Sequence, residues 1–152
     1  MALPAELHKY LSENGSPILD GYIRFLDETS RSRFESLASR ADVWNGGEPF
    51  ATTAFGDLLV WDGTHVLMYR FVDGRVDVIL AGFTFFFANV NDAAYQSDFF
   101  DVPLFNAAQK ELGPISDDEC YTFEPLPMLG GTKDVAHMNK GKTFEYLSLI
   151  IG

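Results

Sequence analysis

The chain has 152 residues, 47% of them hydrophobic and 14% aromatic, and a formal net charge of −11 at pH 7. This length and apolar content predict one domain with a substantial core and argue against intrinsic disorder. The negative charge argues against nucleic acids and anionic membranes as partners and favours a basic protein.

The first forty-five residues have the apolar spacing of helices. A stripe over residues 7–11 indicates a first helix. Ser16-Pro17 predicts the start of a second helix that continues to residue 26, because proline is favoured at the first helical position. Ser32 and Glu35 form a capping-box pattern, which predicts a third amphipathic helix from there.

Residues 50–81 change to the pattern of short strands. Asp62-Gly63 and Asp73-Gly74 separate these strands, and Asp-Gly is a strong hairpin signal because both residues tolerate positive φ. The predicted strands cover 50–55, 58–61, 65–71 and 76–80. We therefore predict an α+β fold in which an antiparallel meander over 50–81 is packed by N-terminal and C-terminal helices.

Helices return after Gly82. We favour a helix over a strand for 83–90, followed by a helix over 93–100. Pro103 opens the next helix and Gly113-Pro114 closes it. Its inward positions are predicted to be Leu104, Ala107, Ala108 and Leu112. A short strand at 121–124 and a final helix with Phe144, Leu147 and Ile151 on one face complete the chain.

Residues 136–143 fit a relaxed nucleotide-binding P-loop, with Ala136 where the stricter pattern has glycine. A working P-loop follows a buried strand and is followed by more of the sheet, which carries a magnesium-binding Asp. The preceding residues 130–134 do not have a strand pattern, and only nine residues follow Thr143. We therefore favour a loop that enters the C-terminal helix, and we expect no nucleotide or other cofactor.

No other pattern indicates chemistry. His8, His65 and His137 are far apart and form no metal-binding motif, and no serine lies in a Gly-x-Ser-x-Gly elbow. The single cysteine, Cys120, excludes an internal disulfide, and the acidic run before it disfavours a reactive thiolate, so a buried structural role is predicted. That acidic run, 117–119, lacks the alternating spacing of a calcium loop. We expect no catalytic or metal-binding residues.

The N-terminus lacks the basic start and apolar stretch of a signal peptide, and no apolar run reaches the length of a membrane span. These two features predict a cytoplasmic protein.

Negative charge is concentrated in residues 92–119, which contain seven acidic residues and one base and so carry a net charge of −6. Two interpretations stay open: a solvated helical face over a Phe-rich core, or an acidic surface for a basic partner. On the second interpretation Tyr95 is an anchor if it is exposed. The steering charges would be Asp98, Asp101, Asp117, Asp118 and Glu119. A basic patch at Lys133, Lys140 and Lys142 either balances local acids or is the next candidate surface.

Several blocks of the second half resemble a known family in order and spacing. They are Thr53–Leu58 with Trp61-Asp62, Leu112–Ile115, Asp118–Pro125, Leu129–Gly131 and Lys142–Ile150. Together they resemble the C-terminal domain of type VI secretion DNase-immunity proteins. The resemblance divides the single domain into a helical N-terminal module over 1–48, similar to a shortened form of the family's preceding module, and an immunity-type part over 49–152.

The resemblance implies a cytoplasmic, non-catalytic antidote that neutralises a cognate toxin, often a nuclease, by direct binding. The charge agrees with this implication, because acidic groups can occupy the basic substrate groove of a DNase and speed association. The alternative is an adaptor or regulatory binding module, and an enzyme ranks third.

Overall fold

The computed structural model describes residues 2–152. Its helices are α1 (Ala5–Asn14), α2 (Glu28–Ala38), α3 (Phe86–Val90), α4 (Ala93–Phe99), α5 (Val102–Leu112) and α6 (Thr143–Ile151). Its strands are β1 (Ile23–Phe25), β2 (Glu48–Thr53), β3 (Leu58–Trp61), β4 (His65–Arg70), β5 (Arg75–Ala81), β6 (Glu119–Phe123) and β7 (Met138–Lys142). The α+β class predicted from the sequence is confirmed.

The main sheet is a five-stranded antiparallel meander with the order β1-β2-β3-β4-β5. The predicted meander over 50–81 is confirmed as β2–β5. Asp62-Gly63 forms the β3–β4 turn, in which Asp62 Oδ1 accepts from the backbone N–H of Thr64 at 2.8 Å and Gly63 has φ of 101°. The second sheet contains only the antiparallel pair β6 and β7.

The main sheet buries both of its faces, and side chains alternate between two cores. On the first face Leu59, Val66 and Met68 pack with residues of α3, α5 and β6. On the second face Leu58, Val60, Leu67 and Tyr69 pack with residues of α2 and α6. This alternation places a polar strand residue against one specific set of helices.

The predicted helix beginning at Ser16-Pro17 is wrong. After a bend, Leu19–Gly21 form a 3₁₀ turn in which Leu19 and Asp20 have φ of 53° and 57°, a backbone state incompatible with an α-helix. The next residues form β1, which pairs with β2. Sheet pairing therefore overrides the helical spacing of the apolar residues in this segment.

The capping box predicted at Ser32 and Glu35 is also wrong. α2 begins earlier, at Glu28, and its N-cap is Asp27, whose side chain accepts from the Ser30 N–H at 2.7 Å. An Asp side chain accepts from the orphan N–H groups of a first helical turn as well as a Ser does. The amphipathic face itself is as predicted, with Phe34 and Leu37 buried.

Most of the C-terminal predictions are confirmed: helices at α3, α4, α5 and α6, and a strand at β6. Of the inward positions assigned to α5, Ala107 is exposed, and Phe105 is buried in its place. Cys120 is buried and unpaired, as predicted. None of the helices between residues 2 and 152 combines the length and apolar character needed to cross a membrane.

Candidate protein-binding surface

The acidic segment 92–119 forms α4, α5 and the turn that leads to β6. Asp92 caps α4 by accepting from the Tyr95 N–H at 3.0 Å. Pro103 lies in the first turn of α5, and Gly113 ends that helix with φ of 85°. The segment is therefore ordered by local signals that the sequence displays.

Tyr95 is half-buried rather than free on the surface. Its ring packs against Phe99, with centroids 4.8 Å apart, and its hydroxyl donates to the carbonyl of Ile79 on β5. Burial raises the pKa of Tyr95 to about 12. The side chain thus fastens α4 to the main sheet, and only part of it is available to a partner.

Asp98 and Asp101 differ in their surroundings although they are close in sequence. Asp98 is exposed on α4. Asp101 precedes α5, and its carboxylate lies 3.6 Å from Nη1 of Arg70, a residue of β4 that is only 6% exposed. Asp98 is available for steering a partner, whereas Asp101 already neutralises a buried cation.

The turn before β6 holds Asp117, Asp118 and Glu119. The backbone N–H and the hydroxyl of Ser116 both donate to Glu119 Oε1, at 2.9 and 2.6 Å. Asp118 Oδ2 lies 2.9 Å from Lys142 Nζ, and this hydrogen bond lowers the pKa of Asp118. Asp117 is exposed. The hydrogen bonds from Ser116 also lower the pKa of Glu119, so Asp118 and Glu119 stay ionised under mildly acidic conditions.

Three of the six candidate residues have clearly different surroundings in the structure. Asp101 contacts Arg70, whose position on β4 alternates with Tyr69 and so belongs to the first face of the sheet. Asp117 and Asp118 line a cleft that also contains Phe34 and Phe144 of the second-face core. Asp101 thus pairs with a buried arginine, whereas Asp117 and Asp118 border a cleft.

This cleft, which we call the α2–α6 cleft, has a volume of about 450 Å³ and lies between the starts of α2 and α6. Its floor includes Arg24 of β1 and Thr143 of α6, each only 2% exposed. Arg33 lies over the ring of Phe144, with the guanidinium carbon 4.1 Å from the centroid. The charged residues that line the cleft are Arg24, Arg33, Lys142, Asp27, Asp117, Asp118 and Glu145.

Sequence reasoning missed Arg24, Arg33 and Thr143. One signal was available: Arg24 is the only charged residue between Gly21 and Asp27, in an otherwise apolar run. The incorrect prediction of a helix for this segment concealed that signal, because arginines are common on the solvated face of a helix.

A second cleft of about 540 Å³ lies on the outer part of the second face, beside β4 and β5. It is lined by Trp44 and Tyr69, by the carboxylates of Asp42 and Asp62, and by Val78, which is 59% exposed. Asp62 Oδ1 accepts from the backbone N–H groups of Thr64 and His65 within its own turn, so this oxygen is less available to a ligand.

Two of the three lysines of the predicted basic patch contact acids. Lys133 Nζ lies 2.7 Å from Asp73 Oδ2, and Lys142 pairs with Asp118. Lys140 is exposed on β7. These contacts favour the interpretation in which the lysines balance local acids.

The segment that resembles a P-loop is not a loop. Residues Met138–Lys142 form β7, and its backbone pairs with β6 from Glu119 to Phe123. A P-loop binds phosphate through free backbone N–H groups, and an extended strand does not wrap them around a phosphate. The expectation of a loop before α6 is therefore wrong, and the geometry of a nucleotide site is not present in this segment.

Between residues 2 and 152, no group of three His, Cys, Asp or Glu side chains is arranged to hold a metal ion. His137 Nδ1 lies 2.5 Å from Asp134 Oδ1, and His65 Nδ1 lies 2.8 Å from Thr64 Oγ1. Burial raises the pKa of the Cys120 thiol to about 11, which keeps it protonated and a poor nucleophile at neutral pH.

Comparison with known proteins gives a family and a fold. No curated protein matches the chain. Among solved structures, that of Atu4351 from Agrobacterium tumefaciens is similar, with a TM-score of 0.68 and 18% sequence identity over 98% of this chain and 75% of that one. At this identity the similarity establishes the fold alone.

Residues 81–152 match the family model of the C-terminal domain of the T6SS immunity protein Tdi1. The match includes four of the five blocks that suggested the resemblance, whereas the block at 53–62 lies outside it. This part of the chain, slightly under half of its length, is therefore similar to the C-terminal domain of the type VI secretion immunity protein Tdi1.

Proposed function

We propose that the protein is an immunity protein that neutralises a cognate toxin by direct, non-catalytic binding in the cytoplasm. The observation that carries the proposal is the family match over residues 81–152. The toxin is proposed to be a DNase with a basic surface, and no nucleic acid or membrane is involved. On this proposal residues 1–48 and 49–152 act as one binding unit, since β1 of the first part pairs with β2 of the second.

The charge distribution supports a basic partner. The net charge of −11 favours rapid encounter with a positively charged protein over a Debye length of about 8–10 Å. Asp98 and Asp117 are exposed, and neither has a base within salt-bridge distance among the described residues. They are therefore the best steering charges of the acidic segment.

The first experiment tests the function. The gene adjacent to this one is expressed in a heterologous host with and without this chain, and growth and complex formation are measured. We expect growth arrest by the neighbouring product alone and rescue with a co-purifying complex. If no toxic neighbour exists, or if a toxic one is neither rescued nor bound, the immunity function is refuted, and a neighbourhood of metabolic genes favours the adaptor.

The second experiment tests the surface. Asp98→Asn with Asp117→Asn removes two exposed charges without breaking the ion pairs of Asp101 or Asp118. We expect association with the toxin to slow by roughly 2- to 10-fold at low salt and to depend less on salt, with unchanged unfolding. Glu13→Gln with Glu35→Gln, which removes the same charge from α1 and α2, is the matched control. Equal on-rates for the two double variants would place the interface outside the acidic segment.

A further inference from the structure

Arg24 is a buried cation without a counter-ion. Its side chain is on the floor of the α2–α6 cleft and is 2% exposed. No carboxylate oxygen of residues 2–152 lies within 4.0 Å of its nitrogens. Its hydrogen-bond acceptors are two backbone carbonyls, those of Thr53 at 3.1 Å and Ser116 at 3.5 Å. Such burial is costly because carbonyls replace only part of the lost hydration.

Two residues that line this cleft each have a buried polar atom without a hydrogen bond in the described structure, Nε of Arg24 and Oγ1 of Thr143. The Thr143 hydroxyl also acts on the Cys120 thiol, whose pKa it lowers against the larger effect of burial. A thiol is a weak acceptor, so this contact leaves the hydroxyl with most of its donor capacity.

The N-terminal end of α6 adds to the positive electrostatic field of Arg24 in the cleft. α6 begins at Thr143, and the preceding residue, Lys142, provides no side-chain cap. The N–H of Thr143 donates to the carbonyl of Asp118 at 2.9 Å, and the positive end of the helix dipole lies at the residues that line the cleft. Burial lowers the pKa of Arg24, and the more distant Asp117 and Asp118 counteract this only in part. The floor is thus positive, although the chain as a whole is strongly negative.

We propose that the α2–α6 cleft binds a carboxylate, with Arg24 Nε–H and Thr143 Oγ1–H as its two hydrogen-bond donors. In the complex the carboxylate belongs to an Asp or Glu side chain of the toxin. This second statement rests on the function proposed above, whereas the carboxylate site itself does not.

The rim selects a monoanion over phosphate. Four acids and three bases line the cleft, and Lys142 is already paired with Asp118. A dianion would meet stronger repulsion from Asp117, Asp118 and Glu145 than a carboxylate meets, while two donors suffice for the two oxygens of a carboxylate. The same acids favour a Lys or Arg beside the toxin's carboxylate, so the site fits a partner segment of mixed charge.

The test observes the guanidinium directly. Acetate and, separately, inorganic phosphate are titrated into the protein, and the side-chain Nε–Hε resonances of the arginines are followed by NMR. We expect acetate to shift the Arg24 resonance in a saturable way and phosphate to shift it less. Arg75, which is 57% exposed and pairs with Asp77, is the internal control. A site occupied only by water would leave Arg24 unmoved by acetate, and that result overturns the proposal.

Variants separate binding from folding. Thr143→Val keeps the shape of the side chain and removes the donor, and Arg24→Gln removes the charge and keeps one donor. Thr143→Val is expected to abolish the acetate shift of the Arg24 resonance, and both variants are expected to abolish any thermal stabilisation by acetate while the protein remains folded. If Arg24→Gln does not fold, Thr143→Val decides alone, and unchanged acetate binding by Thr143→Val refutes the two-donor site.

The final measurement concerns the source of the carboxylate. Arg24→Gln is expected to weaken the toxin complex by about 30-fold or more, mainly through faster dissociation. Normal toxin affinity of a folded Arg24→Gln protein refutes the toxin carboxylate and leaves the immunity function intact. Acetate binding without any toxin complex has the opposite meaning: the site is real and the proposed function is wrong.

Discussion

Arg24 and Arg70 are both buried arginines of the main sheet, 2% and 6% exposed, yet their surroundings differ. Arg70 lies on the first face with Asp77 Oδ2 2.7 Å from its Nε and Asp101 nearby. Burial lowers the pKa of Arg70, but the carboxylates outweigh this effect and raise it, whereas the pKa of Arg24 is lowered. Arg70 has its counter-ions within the chain, whereas Arg24 has none, and this difference is the reason for proposing a ligand only at Arg24.

The largest expected effect is on the compensated arginine. Arg70→Met removes the buried cation that pairs with Asp77 and Asp101 and that attracts the carboxylate of Asp57, which is only 3% exposed. Removing one partner of a buried ion pair costs about 3–5 kcal/mol, so we expect a loss of that order in urea unfolding. Arg75→Met, which removes an exposed partner of the same Asp77, is the control and is expected to cost about 0–1 kcal/mol. Equal losses of unfolding free energy in the two variants would show that burial of the arginine does not determine its contribution to stability.

The next effect is the pH dependence caused by Asp57. Burial raises its pKa to about 6, although Arg70 and a 2.8 Å hydrogen bond from Thr53 oppose the shift. Because the folded pKa lies above the unfolded one, the folded state holds the proton more tightly, and stability falls as pH rises from about 4 to about 6. A shift of roughly two units corresponds to about 3 kcal/mol.

Asp57→Asn should flatten this part of the stability curve, measured by urea unfolding at several pH values. Asp62→Asn is unsuitable as a control because its pKa is lowered by hydrogen bonds within its turn. Exposed Asp98 serves instead, and Asp98→Asn should leave the slope unchanged. A wild-type protein whose stability rises between pH 4 and 6, with no contribution from Asp57, contradicts the expectation.

A smaller effect is expected for the arginine without counter-ions. Arg24→Met leaves the Thr53 carbonyl with one donor fewer, but it also removes an uncompensated buried charge. Replacing a buried charge by an apolar residue of similar volume is often nearly neutral, so we expect a change of about 1 kcal/mol or less in the isolated protein. Urea unfolding of Arg24→Met and Arg70→Met is compared under the same conditions. A comparable loss of stability in both variants would make Arg24 a structural residue like Arg70.

The smallest effect concerns Lys142, whose pairing with Asp118 is exposed to solvent. We expect Lys142→Ala to leave the thermal midpoint unchanged, since exposed ion pairs contribute little. ATP with magnesium should not shift the midpoint of either protein, because β7 is an extended strand. Stabilisation of the wild type alone by ATP would restore the P-loop hypothesis.

Much of the fold was predictable because its signals are local. The Asp-Gly turns, the alternation within 58–61 and 65–70, and the Gly113-Pro114 helix end each act through a few neighbouring residues. The segment 17–26 was not predictable in this way, since its apolar residues fit a helix and a strand equally well. Only the hydrogen bonds from β1 to β2 decide between them.

The candidate site was predictable only in part, for a related reason. The sequence by itself determined the composition, the negative charge and the acidic run, and these suffice to indicate a basic partner and the family resemblance. Tertiary structure decided that Asp101 neutralises Arg70, that Asp118 pairs with Lys142, and that Arg24 has no counter-ion. Whether a charged side chain is neutralised depends on which residues distant in sequence lie beside it, as Ser116 lies beside Arg24. The order of residues along the chain does not specify these contacts.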